Sequence, residues 1–142
     1  MPLFIYGTLK SEKVLKKVLQ NTVSKITHGK DVILHDYHCY KVENESYPAI
    51  FSLKGSKVVG VLLENVSDVD YEYLDEYEGL EYKREKVFVN TSSDGSGSNK
   101  RGSEIECFAY IFCEDEKQRL HGTWDYKHFS EDEFIAVEFS NR

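Results

Sequence analysis

Long apolar segments are absent from this 142-residue sequence. No stretch approaches the roughly 18 consecutive apolar residues that a membrane-spanning helix requires. The N-terminus also lacks the basic region followed by a long apolar run that marks a secretory signal. These absences argue against a helical membrane protein, and we expect a cytoplasmic protein without a membrane partner.

Cysteine and positive charge are also scarce. The 3 cysteines are odd in number and form no C-x-x-C pair, so we expect reduced thiols. The 5 histidines include only one close pair, His35-x-x-His38, with His121 and His128 far along the chain, so we expect no metal site. With 18 Lys and Arg against 25 Asp and Glu, the net charge of −7 argues against nucleic-acid binding.

What the sequence does contain is enough for one small folded domain. Hydrophobic residues make up 40% of the chain, and chains of this length form a single core, so we predict one domain over residues 1–142. The segment 91–103 is rich in Ser and Gly and has almost no apolar residue. We expect it to be a mobile hairpin loop within the domain rather than a linker.

The first motif is a short apolar run, Leu3-Phe4-Ile5, that leads into Tyr6-Gly7-Thr8-Leu9. It predicts a buried strand that ends in a tight turn, where successive backbone N–H groups can form an anion-binding nest. Ser11, followed by apolar residues at helical spacing over 14–19, predicts a helix that begins at Ser11. Strand end, turn and helix start therefore converge on one possible anion pocket. The alternative is that Gly7 is only a turn residue.

The second motif is the acidic segment Leu74-Asp75-Glu76-Tyr77-Glu78-Gly79. Ser67 predicts the N-cap of a helix that ends at Gly79. Its apolar stripe is expected to contain Val69, Tyr73, Leu74 and Tyr77. Glu78 falls in the last turn, where the negative end of the helix dipole, together with any burial, raises the pKa of a carboxyl group and suits it to proton transfer. The alternative is that Glu78 is an ordinary acidic residue on the surface.

Strand patterns dominate the rest of the chain. They predict an α+β fold with a mixed, curved or barrel-like sheet and a few helices. Ser130 and the acids after it predict a last helix, although the same stretch could form a strand. The expected strands are residues 32–42, 49–51, 58–63 with Gly60 inside, 87–89 and 107–112.

Together these motifs resemble the gamma-glutamylcyclotransferase-like family, which includes the AIG2-like proteins. The resemblance runs from residue 3 to about residue 112, and Gly122-Thr123-Trp124 matches only loosely, so the tail beyond it receives no role. It rests on Tyr6-Gly7-Thr8-Leu9, Tyr47-Pro48-Ala49-Ile50, Gly60, the acidic segment 74–79, and Tyr82 with Arg84.

The resemblance implies a barrel-like fold and an activity. The implied reaction releases 5-oxoproline from a gamma-glutamyl compound, with no metal or cofactor, and the pattern is most similar to the branch that acts on gamma-glutamylamines. By the family pattern Glu78 is the catalytic proton carrier. From helical spacing, Asp75 can share the helix face of Glu78 and ranks second, whereas Glu76 points away from it. A non-catalytic module that binds a small carboxylate or amino-acid-like ligand is the alternative.

The same resemblance suggests how a small-molecule gamma-glutamyl substrate binds. The backbone N–H groups of Gly7, Thr8 and Leu9 are candidates to hold its α-carboxylate. Tyr6 and Tyr82 are further candidate substrate-binding residues. Arg84 shares a strand face with Tyr82, and it pairs either with a substrate carboxylate or with a carboxylate of the protein.

Overall fold

The computed structural model of the protein describes residues 1–20, 24–91 and 102–139. The expected loop 91–103 lies largely outside these residues. Short 3-10 turns cover Thr8–Lys10, Glu114–Arg119 and Tyr126–His128. The strands and α-helices are, in chain order, β1 (Leu3–Ile5), α1 (Glu12–Leu19), β2 (Thr27–Val42), β3 (Pro48–Glu64), α2 (Asp68–Glu78), β4 (Tyr82–Thr91), β5 (Glu104–Phe112), β6 (Leu120–His121) and α3 (Glu131–Glu138).

Strands β1 to β5 close into a small barrel. Antiparallel pairs join β1 to β3, β3 to β2, β2 to β4 and β4 to β5. The ring closes where β1 runs parallel to β5, with Leu3 opposite Phe108. The short β6 adds to the end of β2. This arrangement confirms the predicted α+β fold with a barrel-like sheet.

Apolar side chains form two main layers around β1. Phe4 points into the barrel and packs with buried residues of β2, β3, β4 and β5. Leu3 and Ile5 point the other way and pack under the three helices. This alternation follows from the two-residue period of a strand. Because β1 is buried on both faces, packing holds its end in place, and this fixes the position of the turn that follows it.

Strand β3 is longer than the sequence predicted. Residues 49–51 and 58–63 were expected as separate strands, but both belong to one strand of 17 residues. The prediction was wrong because pairing with β2 continues on both sides of an irregularity: Tyr37 pairs with Ser52 and His35 with Lys57, and the register shifts between these two pairs. The mostly polar, exposed residues of the irregular part hide the continuity of the strand in the sequence.

Gly60 brings β3 against β1. A Cβ atom at Gly60 would collide with the carbonyl oxygen of Ile5 and the ring of Phe4. Gly60 is therefore a position of close backbone approach between β3 and β1. It sets the position of β1 relative to the barrel wall.

Both helices next to the site begin where the sequence indicated. The Ser11 side chain accepts a hydrogen bond from the N–H of Val14 at the start of α1. Ser67 and Asp70 form a reciprocal capping box at the start of α2. The expected stripe of α2 is wrong at Val69, which is 53% exposed. Tyr71 is buried in its place, so α2 is rotated about its axis relative to the prediction.

The three cysteines Cys39, Cys107 and Cys113 are free thiols, as expected. Cys107 is buried and the other two are half-buried. Residues 131–138 form a helix, α3, and not a strand, with the Ser130 side chain accepting the Glu133 N–H.

Candidate active site

A cavity of about 150 Å³ lies between the end of β1 and the end of α2. The turn after β1 forms one side, and the last turn of α2 forms another. The sequence motifs around Gly7 and Glu78 are far apart in the chain and meet here. The described residues that line the cavity are Phe4, Ile5, Tyr6, Gly7, Thr8, Leu9, Tyr47, Pro48, Tyr77, Glu78, Glu81, Tyr82, Tyr110, Phe134 and Glu138.

The turn at Gly7 is held tightly against Pro48. The N–H of Lys10 donates to the carbonyl of Gly7 at 3.0 Å, and the chain enters a 3-10 turn at Thr8. Gly7 has φ −129°, which other residues also adopt, so its backbone conformation does not require glycine. Its role is steric, because a Cβ atom there would lie 2.5 Å from the Cγ of Pro48.

Thr8 joins this turn to α2. Its hydroxyl oxygen lies 3.0 Å from the hydroxyl of Tyr77, one residue before Glu78. Thr8 and Leu9 are both buried. The turn and the carboxylate at the end of α2 are therefore held in a fixed relation by a hydrogen bond and by core packing.

Glu78 is the last residue of α2. The helix stops at Gly79, whose φ of 73° favours glycine and whose N–H donates to the carbonyl of Asp75 at 3.0 Å. The Glu78 side chain is half-buried and lines the cavity. Burial raises the pKa of Glu78 to about 8, and the charge of Asp75 raises it further in the same direction. Near neutral pH this group can therefore both accept and donate a proton.

Asp75 lies beside Glu78, as the helical spacing predicted, and is held by two partners. The hydroxyl of Tyr110 donates to one Asp75 oxygen at 2.6 Å, and the Arg84 guanidinium lies 3.7 Å from the other. Glu76 is exposed. Of the three acids in the segment, Glu78 lines the cavity, and Asp75, although exposed, acts on Glu78 through its charge.

Tyrosines surround the Glu78 carboxyl group. The hydroxyl of Tyr6 donates to the carbonyl of Tyr110 at 2.8 Å, and that of Tyr82 donates to the carbonyl of Pro48 at 2.7 Å. Burial, followed by neighbouring groups that include Glu78, holds the pKa of both phenols well above the usual value. Both hydroxyls stay protonated at neutral pH, and their oxygens can still accept a hydrogen bond from a ligand.

Arg84 lies outside the cavity lining. It pairs with Asp75, and its guanidinium stacks over the rings of Tyr71 at 4.2 Å and Phe108 at 4.8 Å. Its Nη1 atom is buried and has no hydrogen-bond partner. Arg84 was expected to pair either with a substrate carboxylate or with a carboxylate of the protein, and this position favours the second.

Several lining residues were missed by the sequence reasoning. Phe134 and Glu138 of α3 belong to the tail that received no role, yet both reach the cavity. Glu81 also lines it and pairs with Arg119 at 3.0 Å. Tyr47 and Pro48 belong to the motif Tyr47-Pro48-Ala49-Ile50, which supported the family resemblance but was not assigned to the site. Nothing in the local pattern of α3 indicates which face meets the site.

Within residues 1–20, 24–91 and 102–139, no group of three or more His, Cys, Asp or Glu is arranged to hold a metal ion. None of the described helices combines the length and apolar character needed to cross a bilayer.

Comparisons with known proteins agree with the fold described above. AIG2-like protein D of Arabidopsis thaliana is 29% identical over 130 residues, which are 90% of this chain and 78% of that protein. A solution structure of an Arabidopsis thaliana protein superimposes with a TM-score of 0.66 and 26% identity, covering 98% of this chain and 76% of that one.

A structure described as a gamma-glutamyl cyclotransferase shares the fold, with a TM-score of 0.63 and 19% identity over 79% of this chain and 66% of that one. The sequence model of the family described as "Gamma-glutamyl cyclotransferase, AIG2-like" matches residues 3–127. The chain therefore belongs to the AIG2-like gamma-glutamyl cyclotransferase family.

Proposed function

We propose that this protein is a gamma-glutamyl cyclotransferase that releases 5-oxoproline from a gamma-glutamyl amide. The observation that carries the proposal is the half-buried carboxyl group of Glu78, whose pKa is raised to about 8 and which lines the same cavity as the turn at Gly7. Family membership supports a cyclotransferase-type reaction. The choice of Glu78 as its proton carrier rests on the geometry above.

The substrate is bound at two points in this proposal. Its α-carboxylate lies at the backbone N–H groups of Gly7, Thr8 and Leu9, three successive residues of the turn that lines the cavity. Its α-amino group lies beside Glu78. A cavity of about 150 Å³ has room for one small amino-acid-like group.

The reaction needs no group from the protein other than a proton carrier. Glu78 takes a proton from the α-ammonium, and the freed amine attacks the γ-carbonyl carbon to form the lactam C–N bond. The original amide C–N bond breaks as Glu78 passes the proton to the departing nitrogen. The second proton on the attacking nitrogen follows by the same route, so the amine leaves as an ammonium and Glu78 returns to its starting state.

Holding the substrate in the cyclising conformation is the second contribution. Nucleophile and electrophile belong to one molecule, and favourable intramolecular geometry lowers a barrier by roughly 7–11 kcal/mol. The hydroxyls of Tyr6 and Tyr82 are fixed by their own donated hydrogen bonds. We propose that these fixed groups restrict the glutamyl chain to the folded form.

The test follows the fate of the glutamyl group in water labelled with heavy oxygen. Wild-type protein is incubated with a gamma-glutamyl amide and with its N-acetylated counterpart, and the products are identified by mass spectrometry. We expect unlabelled 5-oxoproline from the first and no product from the second, because acetylation removes the nucleophile. Labelled glutamate would show hydrolysis instead, and binding without any product would favour the ligand-binding alternative.

A further inference from the structure

Two neighbouring strands of the barrel hold Asp75 of α2. Arg84 of β4 and Tyr110 of β5 lie directly opposite one another in the antiparallel pair. The Tyr110 hydroxyl donates to one Asp75 oxygen at 2.6 Å, and Nη2 of Arg84 lies 3.7 Å from the other oxygen. Because Asp75 lies about one helical turn before Glu78, these contacts fasten the end of α2 that carries Glu78.

The guanidinium group of Arg84 is itself fixed by aromatic rings. It stacks over Tyr71 at 4.2 Å and over Phe108 at 4.8 Å, and these two rings meet edge to face with centroids 5.5 Å apart. The Asp75 side chain, in contrast, is 48% exposed and has solvent on its open side. Arg84 is therefore the anchor, and Asp75 is the group that it restrains.

The position of Arg84 also has a cost for the fold. Its Nη1 atom is buried and has no hydrogen-bond partner. A buried polar atom without a partner is destabilising, and an apolar side chain could pack against the same two rings without that loss. The contact with Asp75 is therefore what an arginine supplies at this position and an apolar residue does not.

The restraint on Asp75 matters because Asp75 acts on Glu78. Burial is the first cause of the raised pKa of Glu78, and the charge of Asp75 is the second. A carboxylate that is held beside Glu78 acts on it through the protein, whereas water screens the charge of one that turns toward solvent. The position of Asp75 therefore decides how strongly its charge is felt at Glu78.

We propose that Arg84 is a positioning residue for Glu78, and that it acts by holding the Asp75 carboxylate beside it. The inference rests on the proposed function, in which Glu78 carries the proton. Arg84 lies outside the cavity lining, so it does not touch the substrate in this account. By restraining Asp75, it sets the pH range over which Glu78 exchanges its proton.

Other ionisable groups face Glu78, and the test has to separate them from Arg84. Those that share the cavity lining with Glu78 are Tyr6 after β1, Tyr47 before β3, Tyr77 of α2, Glu81 and Tyr82 at the start of β4, Tyr110 of β5 and Glu138 of α3. None of the described lining residues is Lys or Arg, and Arg119 pairs with Glu81 at 3.0 Å. A substitution at Arg84 leaves all of these groups in place.

The test measures the protonation of Glu78 directly. Glutamate labelled with heavy carbon in its side-chain carboxyl group is incorporated, and the NMR signal of Glu78 is identified as the one missing from Glu78→Gln. In Arg84→Met we expect the pH midpoint of this signal to fall by roughly half a pH unit, the size of a partly exposed charge contact. The pH midpoint of kcat/KM for 5-oxoproline release from one gamma-glutamyl amide should fall by the same amount.

A double variant tests whether Arg84 acts through Asp75. In the Asp75→Asn background, Arg84→Met should move the midpoint no further, because the carboxylate that Arg84 restrains is gone. If Arg84→Met does not fold, Arg84→Gln, which also removes the cation, is measured in its place with the same expectation.

The matched control is Lys86→Met. It removes a positive charge two residues away on the same face of β4, where Lys86 lies 3.8 Å from Glu106. We expect this control to keep the wild-type midpoint. An equal fall in the control would overturn the inference, because the effect would then belong to the general charge of β4.

Three other outcomes would overturn the inference. A higher midpoint in Arg84→Met would mean that the positive charge of Arg84 acts on Glu78 directly. An unchanged midpoint with a lower melting temperature would leave Arg84 with a structural role alone. A fall that persists in the Asp75→Asn background would show that Asp75 is not the link. If the midpoints change as expected but no gamma-glutamyl amide yields 5-oxoproline, the proposed function fails while the hold of Arg84 on Asp75 stands.

Discussion

The raised pKa of Glu78 has a consequence for stability. In the unfolded chain the group has a pKa near 4.5, and in the folded protein it is about 8, so the folded state binds more protons between these values. Stability that depends on the protonated group is complete below pH 4.5 and is lost as the pH rises through about 8. Function and stability therefore conflict at this residue.

The variant Glu78→Gln should reverse this loss. The amide carries no charge to desolvate, so the melting temperature of the variant should gain on the wild type as the pH rises from 4.5 to 8 and stay level above that. Thermal unfolding over this pH range measures the difference. A difference that does not change with pH would mean that the pKa of Glu78 is not raised in the folded state.

Asp75 provides a second test at the same scale. Its charge is the second cause that raises the pKa of Glu78, after burial. The variant Asp75→Asn removes that charge, so the pH at which kcat/KM rises should move to a lower value. The amide can still accept a hydrogen bond from Tyr110. A pH profile that keeps its wild-type midpoint would show that Asp75 does not act on Glu78.

At the scale of the elements, the turn after β1 depends on the fit of Gly7 against Pro48. A Cβ atom at Gly7 would lie 2.5 Å from the Cγ of Pro48. The variant Gly7→Ala should therefore destabilise the protein by about 1–3 kcal/mol, as other overpacked sites do. Denaturant unfolding measures the free energy of unfolding.

The matched variant is the double change Gly7→Ala with Pro48→Ala. Removing the proline ring gives the new methyl group room, so the double variant should lose less stability than the sum of the two single changes. Additive losses would contradict the steric account. In that case the contact with Pro48 would not explain the glycine, and its φ of −129° does not explain it either.

The sequence could predict these elements where a local signal was strong. Ser11 and Ser67 were correctly predicted as caps because a hydroxyl at a helix start has a direct hydrogen-bond partner. The face of α2 was predicted less well, since Val69 is exposed and Tyr71 is buried. Tyr71 is buried because its ring packs on Phe108 and its hydroxyl donates to Met1, contacts that depend on distant parts of the chain.

In the candidate site, too, some residues could be predicted from local sequence motifs and others could not. Glu78 and the turn at Gly7 could be found because each is part of a compact motif. Phe134 and Glu138 could not, because the path of the chain from β6 to α3 decides what α3 covers. Arg84 was correctly placed on the Tyr82 face of β4, but which carboxylate it meets depends on the packing of α2.

At the scale of the whole molecule, α3 packs against the core and also lines the candidate site. Phe134 is 3% exposed and packs on Phe129, with ring centroids 5.4 Å apart. The variant Phe134→Ala should lower the free energy of unfolding by about 3–5 kcal/mol. It should also weaken catalysis, because the cavity loses a wall.

The control for this prediction lies on the same helix. Val137 is 71% exposed, so Val137→Ala should change stability by less than about 0.5 kcal/mol. Chemical denaturation of both variants gives the comparison. Equal effects of the two substitutions would mean that α3 is not packed on the domain.

The central claim is that Glu78 carries the proton in 5-oxoproline release. The most direct measurement is the rate of 5-oxoproline formation from one gamma-glutamyl amide by wild-type protein, Glu78→Gln and the control Glu76→Gln, which alters an exposed acid two residues away. The account predicts that Glu78→Gln loses activity by about 10²–10⁴-fold while Glu76→Gln stays near the wild type. Activity of Glu78→Gln within a few-fold of the wild type would contradict it.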